Sequence, residues 1–473
     1  MTSSKSLVKN STIYAIGEIC PRLFSLIVFP ILTSHLSAEE YGIINYVNTI
    51  DVFLSVFSLL GLNTFFLVYY YKMPSEQERK NLMGTLSLFI VANTMLISTL
   101  LFIYGSKLFS LWGSNVDFYP YIAIGVLTNL FNAVTVMPVC YYRVIEKPLP
   151  LTLLNVLKSF VIMIGTIVLI KYYGGSSKEV LEVRLCVSAL FAGIFIYLCR
   201  NHFTLTLNLK TVKQGLKFSL PLLPGSISYY LFSMSDRLLI DKYLSLRDLG
   251  LYSTASTLAM LLNIISNGAY KAFEPYFFQI YGQPQFNDAF RKVRDTLLFV
   301  VIVFGTALSL FSKECLWLLS SEEFHSAYIY VPILTIGTIC SAMSLMYSTI
   351  IIAKGKTIIN TIITIIGALV SIVLNIILLP KIGIYSAAIV FSLSFVIIMV
   401  LNAIASKINI PILRPVVALV LSFILIFISD YLLKNAAMSV SLFAKIIIYI
   451  FIIIVVSKVL GFKMNSLVSI LKK

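Results

Sequence analysis

The sequence predicts an all-α polytopic membrane protein, and three observations carry that reading. First, 59% of the 473 residues are hydrophobic and 12% are charged, with a mean hydropathy of +0.94. Soluble domains run at about 45–50% apolar and about 25% charged. So few charges cannot clothe a chain of this length in water, which excludes a soluble enzyme. Second, apolar runs such as 361–379 and 446–456 are continuous, whereas a membrane barrel alternates apolar with polar residues. Third, such runs recur along the whole chain, near the ~20 residues that a helix needs to cross a bilayer.

Hydropathy then marks about fourteen spans, at 10–35, 41–70, 83–105, 119–142, 151–171, 182–199, 216–243, 249–275, 296–317, 328–351, 359–379, 384–405, 413–433 and 441–460. An even number puts both termini on one side. The connections on that side hold 22 of the 36 Lys and Arg, and the opposite set holds 9, among them Arg184. Cytoplasmic loops carry the excess of Lys and Arg, so both termini are expected in the cytoplasm. The same dispersal accounts for the net charge of +16 without nucleic acid as a partner. Lys5 and Lys9 precede an apolar stretch that contains Glu18, Pro21, Arg22 and Pro30 and lacks a small-x-small cleavage site. That pattern reads as a retained helix rather than a signal peptide. The six cysteines lie far apart without CxxC spacing, and His35, His202 and His325 are isolated, so no metal cofactor is expected.

An ungapped internal repeat appears at an offset of 208 residues. Lys9, Ser11, Gly17, Ile19, Leu23-Phe24-Ser25, Leu36-Ser37 and Gly42 meet Lys217, Ser219, Gly225, Ile227, Leu231-Phe232-Ser233, Leu244-Ser245 and Gly250, giving 10 identities in 34 positions. Glu40 also meets Asp248. Composition alone would supply some matches between Leu- and Ser-rich helices, but not the loop Leu-Ser, acid and Gly in register with them. Six spans separate the copies, so the repeat is parallel, as in transporters whose halves rock about an axis normal to the membrane. The expected division is a six-helix lobe at 1–208, a second at 209–405, and two further helices with a tail at 406–473. The longest connection, around 276–295, is about 20 residues, while domains start near ~50. No room exists there for a catalytic domain, and no Walker A motif is present.

Charges inside spans need a reason, because one at the bilayer centre costs at least about 2.5–3.5 kcal/mol. Glu18 and Arg22 are four apart on one helical face, as a self-neutralising pair or with Arg22 turned to a hydrated cavity as an oxyanion ligand. Asp236 and Arg237 are adjacent, about 100° apart on a helix, and are not expected to pair as helical neighbours do. Lys271 and Glu274 form an i,i+3 couple. Lys158 and Asp51 lack neighbours within their own helices and need partners across the bundle, Asp51 with Arg22 being one geometrically reasonable couple. Glu18, Asp51, Asp236 and Glu274 are the candidate carboxylates for coupling to a proton or sodium gradient. Prolines are expected to break the first helix of each repeat, Pro21 and Pro30 in one and Pro221 and Pro224 in the other, making hinges beside a central path. Tyr69-Tyr70-Tyr71 and Tyr141-Tyr142 stand where an interfacial aromatic belt would lie.

Four stretches carry a resemblance. They are Leu36-Ser37-Ala38-Glu39-Glu40-Tyr41-Gly42, the run from Asp236-Arg237-Leu238 through Lys242-Tyr243-Leu244-Ser245 to Gly250-Leu251-Tyr252, Lys271-Ala272-Phe273-Glu274-Pro275-Tyr276, and Leu379-Pro380-Lys381-Ile382-Gly383-Ile384-Tyr385. With them the chain resembles the polysaccharide transporters of the MOP superfamily, and within it the Wzx-type O-antigen and capsule flippases. The resemblance implies two six-helix lobes with two extra C-terminal helices in a bacterial inner membrane. It implies the turning of an undecaprenyl-diphosphate-linked oligosaccharide from the cytoplasmic to the periplasmic leaflet. Polymerase and chain-length proteins of the same pathway are the expected protein partners. Arg22, Arg237, Lys271 and Lys158 are the positions that fit a role in meeting the diphosphate and sugars. The drug-exporting MATE branch shares the implied fold and is the alternative, and a membrane polymerase or ligase is a third reading that the missing external loop disfavours.

Overall fold

Seventeen α-helices and no strand make up the described residues of the computed structural model, which are 4–408, 413–433 and 438–461. By packing the chain divides into two units, Met1–Gly250 and Leu251–Lys473.

The first unit begins with α1 (Ser4–His35), α2 (Ala38–Leu59), α3 (Leu62–Tyr69), α4 (Glu76–Trp112) and α5 (Ala123–Val144). It continues with α6 (Pro148–Tyr173), α7 (Ser177–Cys199), the short α8 (Leu209–Ser219) and α9 (Leu223–Tyr243). Here α1 packs along α6, α5 sits between α4 and α7, and α2 lies against α5 and α9. Each start has a local cause. Ser75 caps α4 by accepting from the Glu78 amide at 3.2 Å, and Gly113, at φ +81°, ends it in the left-handed conformation that glycine adopts without strain. At 37 residues α4 runs roughly 55 Å. That exceeds the ~30 Å hydrocarbon core, so one end stands clear of it.

Ser37 and Glu40 form a reciprocal capping box at the start of α2. Ser245 and Asp248 do the same for α10 (Leu246–Ile280), with the Asp248 amide donating to Ser245 Oγ at 3.1 Å and the Ser245 amide donating to Asp248 Oδ2 at 3.1 Å. The Leu-Ser-x-x-acid element of the repeat is therefore a helix start, in which serine and acid each satisfy the other's orphan amide.

The second unit, from Leu251 onward, holds the body of α10, then α11 (Phe286–Leu310), α12 (Ser312–Leu319), α13 (Tyr330–Ala353), α14 (Thr357–Ile382) and α15 (Ile384–Ser406). It ends with α16 (Leu413–Leu433) and α17 (Met438–Leu460), which pack on each other and on α11. Its core gathers Leu262, Phe290, Leu298, Val301, Ile339 and Met346 around α10, α11 and α13.

Among the described residues, twelve helices are long and apolar enough to cross a membrane. The two remaining expected spans fall on α1 and α9. Both are helical, but α1 offers only the shorter apolar piece Ile19–His35, and α9 carries Asp236, Arg237, Asp241 and Lys242.

Three sequence expectations change. Pro21 and Pro30 lie inside α1, which continues through both. Pro221 lies in a single 3-10 turn between α8 and α9, and Pro224 is in the first turn of α9, so the helical run from α8 into α9 is interrupted at these prolines. A first-turn proline sacrifices no hydrogen bond there. Arg184, counted with a connection although the expected span 182–199 contains it, sits in the second turn of α7, which the Ser176–Glu179 capping box starts at Ser177. Likewise Arg294, counted with a basic connection, lies inside α11 with 1% exposure.

Candidate functional site

Within the first unit, α2, α5, α6 and α7 line a partly open cavity of about 190 Å³ whose wall mixes apolar with charged and amide side chains. Helical spacing delivers its lining. Val47, Asn48 and Asp51 share one face of α2; Gly125, Thr128 and Asn132 share a face of α5; Lys158 and Ile162 are four apart on α6; Leu181, Arg184 and Ser188 share a face of α7. Gly125 is required by the closeness of its neighbour, since a Cβ there would stand 2.6 Å from Val47 Cγ1.

The cavity holds two cations and one carboxylate. Lys158 Nζ donates to Asn132 Oδ1 at 2.8 Å, and Arg184 donates to Asn48 Oδ1. Asn129 ties the carboxylate's helix in place, donating to the Asp51 carbonyl at 3.1 Å and accepting from Ser58 Oγ at 2.8 Å. Asp51 Oδ1 is buried and has no hydrogen-bond partner among the described residues. Each of the two lining amides accepts from a cation through its carbonyl oxygen, while lysine and arginine keep further N–H groups. The result is donor-rich and carries a net positive charge, which suits an anionic or hydroxyl-rich guest better than a cation.

The predicted residues are distributed unevenly around this site. Asp51 and Lys158 line it. Lys158 finds its partner across the bundle on α5, and Asp51 shares the cavity with Lys158 and Arg184. No Asp51–Arg22 ion pair forms among the described residues; Arg22 is exposed on α1. Asp236 and Arg237 are buried on α9, at 4% and 7% exposure, and they do form an ion pair, Nη1 to Oδ1 at 3.8 Å. The expectation that adjacent residues would not meet fails because Asp236 turns back to accept the Arg237 amide at 2.8 Å, within reach of the folded arginine fork. The side chains of Glu18, Lys271 and Glu274 lie outside the described residues.

Sequence reading missed Arg184, Asn48 and Asn132. The signal existed for Arg184: it follows Leu181 by three and precedes Ser188 by four, a single helical face. Amides leave no comparable trace in hydropathy. Also missed was Lys445 on α17, 2% exposed, whose Nζ donates to both Glu314 oxygens on α12 at 2.9 and 3.0 Å. The tyrosines assigned to a belt are partly packing groups: Tyr70 is buried against Tyr141, and Tyr71 Oη donates to the Val144 carbonyl at 2.6 Å.

Comparison with known proteins matches this architecture. A family model described as polysaccharide biosynthesis protein covers residues 7–281, and a model described as MatE covers 221–377. The chain is 24% identical over 360 residues to Lsg locus putative protein 1 of Haemophilus influenzae, covering 74% of this chain and 85% of that one. It is 22% identical over 399 residues to the capsular polysaccharide biosynthesis protein CapF of Staphylococcus aureus, covering 82% and 96%. Among solved structures, the lipid II flippase MurJ in an inward closed conformation superposes with a TM-score of 0.78 at 17% identity, covering 95% of this chain and 98% of that one. An inward-facing multidrug resistance MATE family transporter of the MOP superfamily gives 0.63 at 14% identity, covering 88% and 96%. These likenesses show a shared fold. Because the polysaccharide biosynthesis model spans more than half of the sequence, the chain belongs to that family, with the fold of the MOP superfamily.

Proposed function

We propose that the protein is a flippase that carries an undecaprenyl-diphosphate-linked oligosaccharide, an O-antigen or capsule repeat unit, from the cytoplasmic to the periplasmic leaflet of the inner membrane. The observation that supports this reading most directly is the donor-rich cavity of Asn48, Asn132, Lys158 and Arg184 inside the first unit of a polysaccharide biosynthesis family member. A diphosphate and sugar hydroxyls are the chemistry that such donors recognise. The transport cycle would be alternating access of the halves 1–208 and 209–405, with Pro21, Pro30, Pro221 and Pro224 as the candidate hinge positions and both termini cytoplasmic. Arg22, Arg237 and Lys271 are further cations assigned to the substrate's path. Asp51, with an unpartnered buried oxygen between two cations, is the foremost candidate to couple transport to a proton or sodium gradient; Glu18, Asp236 and Glu274 complete that set. No covalent bond need be made or broken.

The test is complementation of a strain lacking the gene with Lys158→Gln and Arg184→Gln. Both variants should reach the membrane at near-normal level, lose surface glycan and accumulate the lipid-linked precursor. Normal glycan display by both would sink the assignment of this cavity. A MATE-like exporter of small organic cations is the second reading, favoured by the match over 221–377. It predicts altered drug susceptibility with surface glycan intact.

A further inference from the structure

The segment joining α7 to α9 is pinned down along its length. Residues 203–208 lie across the first turns of α4. The Thr204 amide donates to the Lys80 carbonyl at 3.4 Å. Thr85 Oγ1 donates to the Thr206 carbonyl at 2.8 Å and accepts from the Asn208 amide at 3.3 Å. Gly84 lets this strap down onto the helix, since a Cβ there would stand 1.7 Å from the Thr204 carbonyl oxygen. Asn208 then caps α8, accepting from the Lys210 and Thr211 amides at 3.0 and 3.4 Å.

The 11-residue α8 is too short to span a bilayer. It buries Val212, Gly215 and Ser219 and packs against α3 and α4. Its other face presents Lys210, Lys213 and Lys217, all exposed and spaced three and four apart. On the approach, Leu205, Leu207 and Leu209 are 77%, 57% and 70% exposed. Leu205 and Leu207 on the strap and Leu209 at the start of α8 all lie uncovered, and leucines so exposed favour hydrocarbon over water. Lysines on the free face of a short helix flanked by such leucines are the composition of an element lying in a membrane interface.

We propose that the strap and α8 are a lipid-docking surface selective for anionic phospholipid headgroups. The lysine ammonium groups pair with lipid phosphates, and Leu205, Leu207 and Leu209 enter the acyl region beneath them. Charge complementarity selects this occupant: three cations in one helical stripe draw anionic lipid to themselves, and the leaflet facing the cytoplasm is the one rich in it. Because the strap is bonded to α4 and α8 packs on α3, the captured lipids are held against the first unit. This surface is separate from the cavity and does not depend on what the cavity carries.

The experiment uses the full chain with Leu209→Trp, reconstituted in vesicles of about three parts phosphatidylcholine to one part phosphatidylglycerol. Bromines are placed on the acyl chains of phosphatidylglycerol, or on the same mole fraction of phosphatidylcholine. The parent protein supplies the background of Trp112 and Trp317. Brominated phosphatidylglycerol should quench the new tryptophan at least about twofold more than brominated phosphatidylcholine does. The excess should vanish when Lys210, Lys213 and Lys217 become Gln, return when they become Arg, and shrink at high salt. An unchanged unfolding midpoint for the Gln variant in phosphatidylcholine vesicles shows that its fold survives. Equal quenching by the two lipids would overturn the proposal by leaving an apolar anchor without headgroup selection. Absence of quenching by either would overturn it by placing this face in water or against a protein.

Discussion

Gly42 and Gly250 approach each other's helices reciprocally. A Cβ on Gly42 would stand 2.2 Å from the Leu246 carbonyl oxygen, and a Cβ on Gly250 would stand 1.8 Å from that of Ala38. The two glycines are 208 residues apart, and so are Ala38 and Leu246. The contact is therefore a local two-fold between the two copies of the repeat motif. It explains why the motif ends in glycine: the capping box starts each helix, and five residues past the serine the backbones touch.

Gly42→Ala and Gly250→Ala should each lower stability by about 1–3 kcal/mol, the usual cost of forcing atoms into a filled contact. The double variant should cost less than the sum, because the first methyl already opens the crossing. Thermal unfolding of the purified protein reads both. An unchanged midpoint for Gly42→Ala would show that α2 and α10 do not meet this closely.

Lys445 and Glu314 provide a second stability test. Removing one partner of a buried ion pair costs about 3–5 kcal/mol, because the other charge stays buried alone. Lys445→Met should therefore be strongly destabilising, and adding Glu314→Gln should recover much of the loss. If the single and double variants unfold alike, the pair contributes no coupling.

Asp51 is tested by charge balance. Asp51→Asn leaves Lys158 and Arg184 without the carboxylate that shares their cavity. Transport should then lose its dependence on the gradient while the protein still reaches the membrane. Surface glycan measured with and without an uncoupler tests this, and gradient-dependent display by Asp51→Asn would remove Asp51 from the coupling role.

Arg22 is exposed on α1, so its loss should leave little strain behind. Arg22→Ala is expected to keep near-normal protein level and lose surface glycan, and Arg22→Lys to retain part of the display because the charge survives without the bidentate fork. Full glycan display by Arg22→Ala combined with Glu18→Gln would reduce Arg22 to a partner of Glu18.

Topology follows from the basic bias. Reporters fused after Lys80, Lys213 and Lys356 should read cytoplasmic, and those after Glu40 and Glu323 external. A cytoplasmic signal after Glu323 would break the order of spans through α9 to α13.

Much of the fold was legible because it depends on short-range properties. Continuous apolar runs named the helical class and most spans, and the repeat was visible as identities that the structure resolves into two capping boxes and two glycines. Hydropathy misplaced helix starts where a polar first turn belongs to the helix. That is how Arg294 was assigned to a connection: the polar turns after Phe286 are helical but not apolar.

By itself the sequence determined that this chain is helical, membrane-spanning and internally repeated, because composition and period act within a turn or two of each residue. Only the tertiary structure decided which charges gather. Asp51, Lys158 and Arg184 come from three helices, and Lys445 meets Glu314 across 131 residues. Such meetings are set by how helix faces pack against one another, and residue spacing along a single helix carries no record of which face will lie opposite.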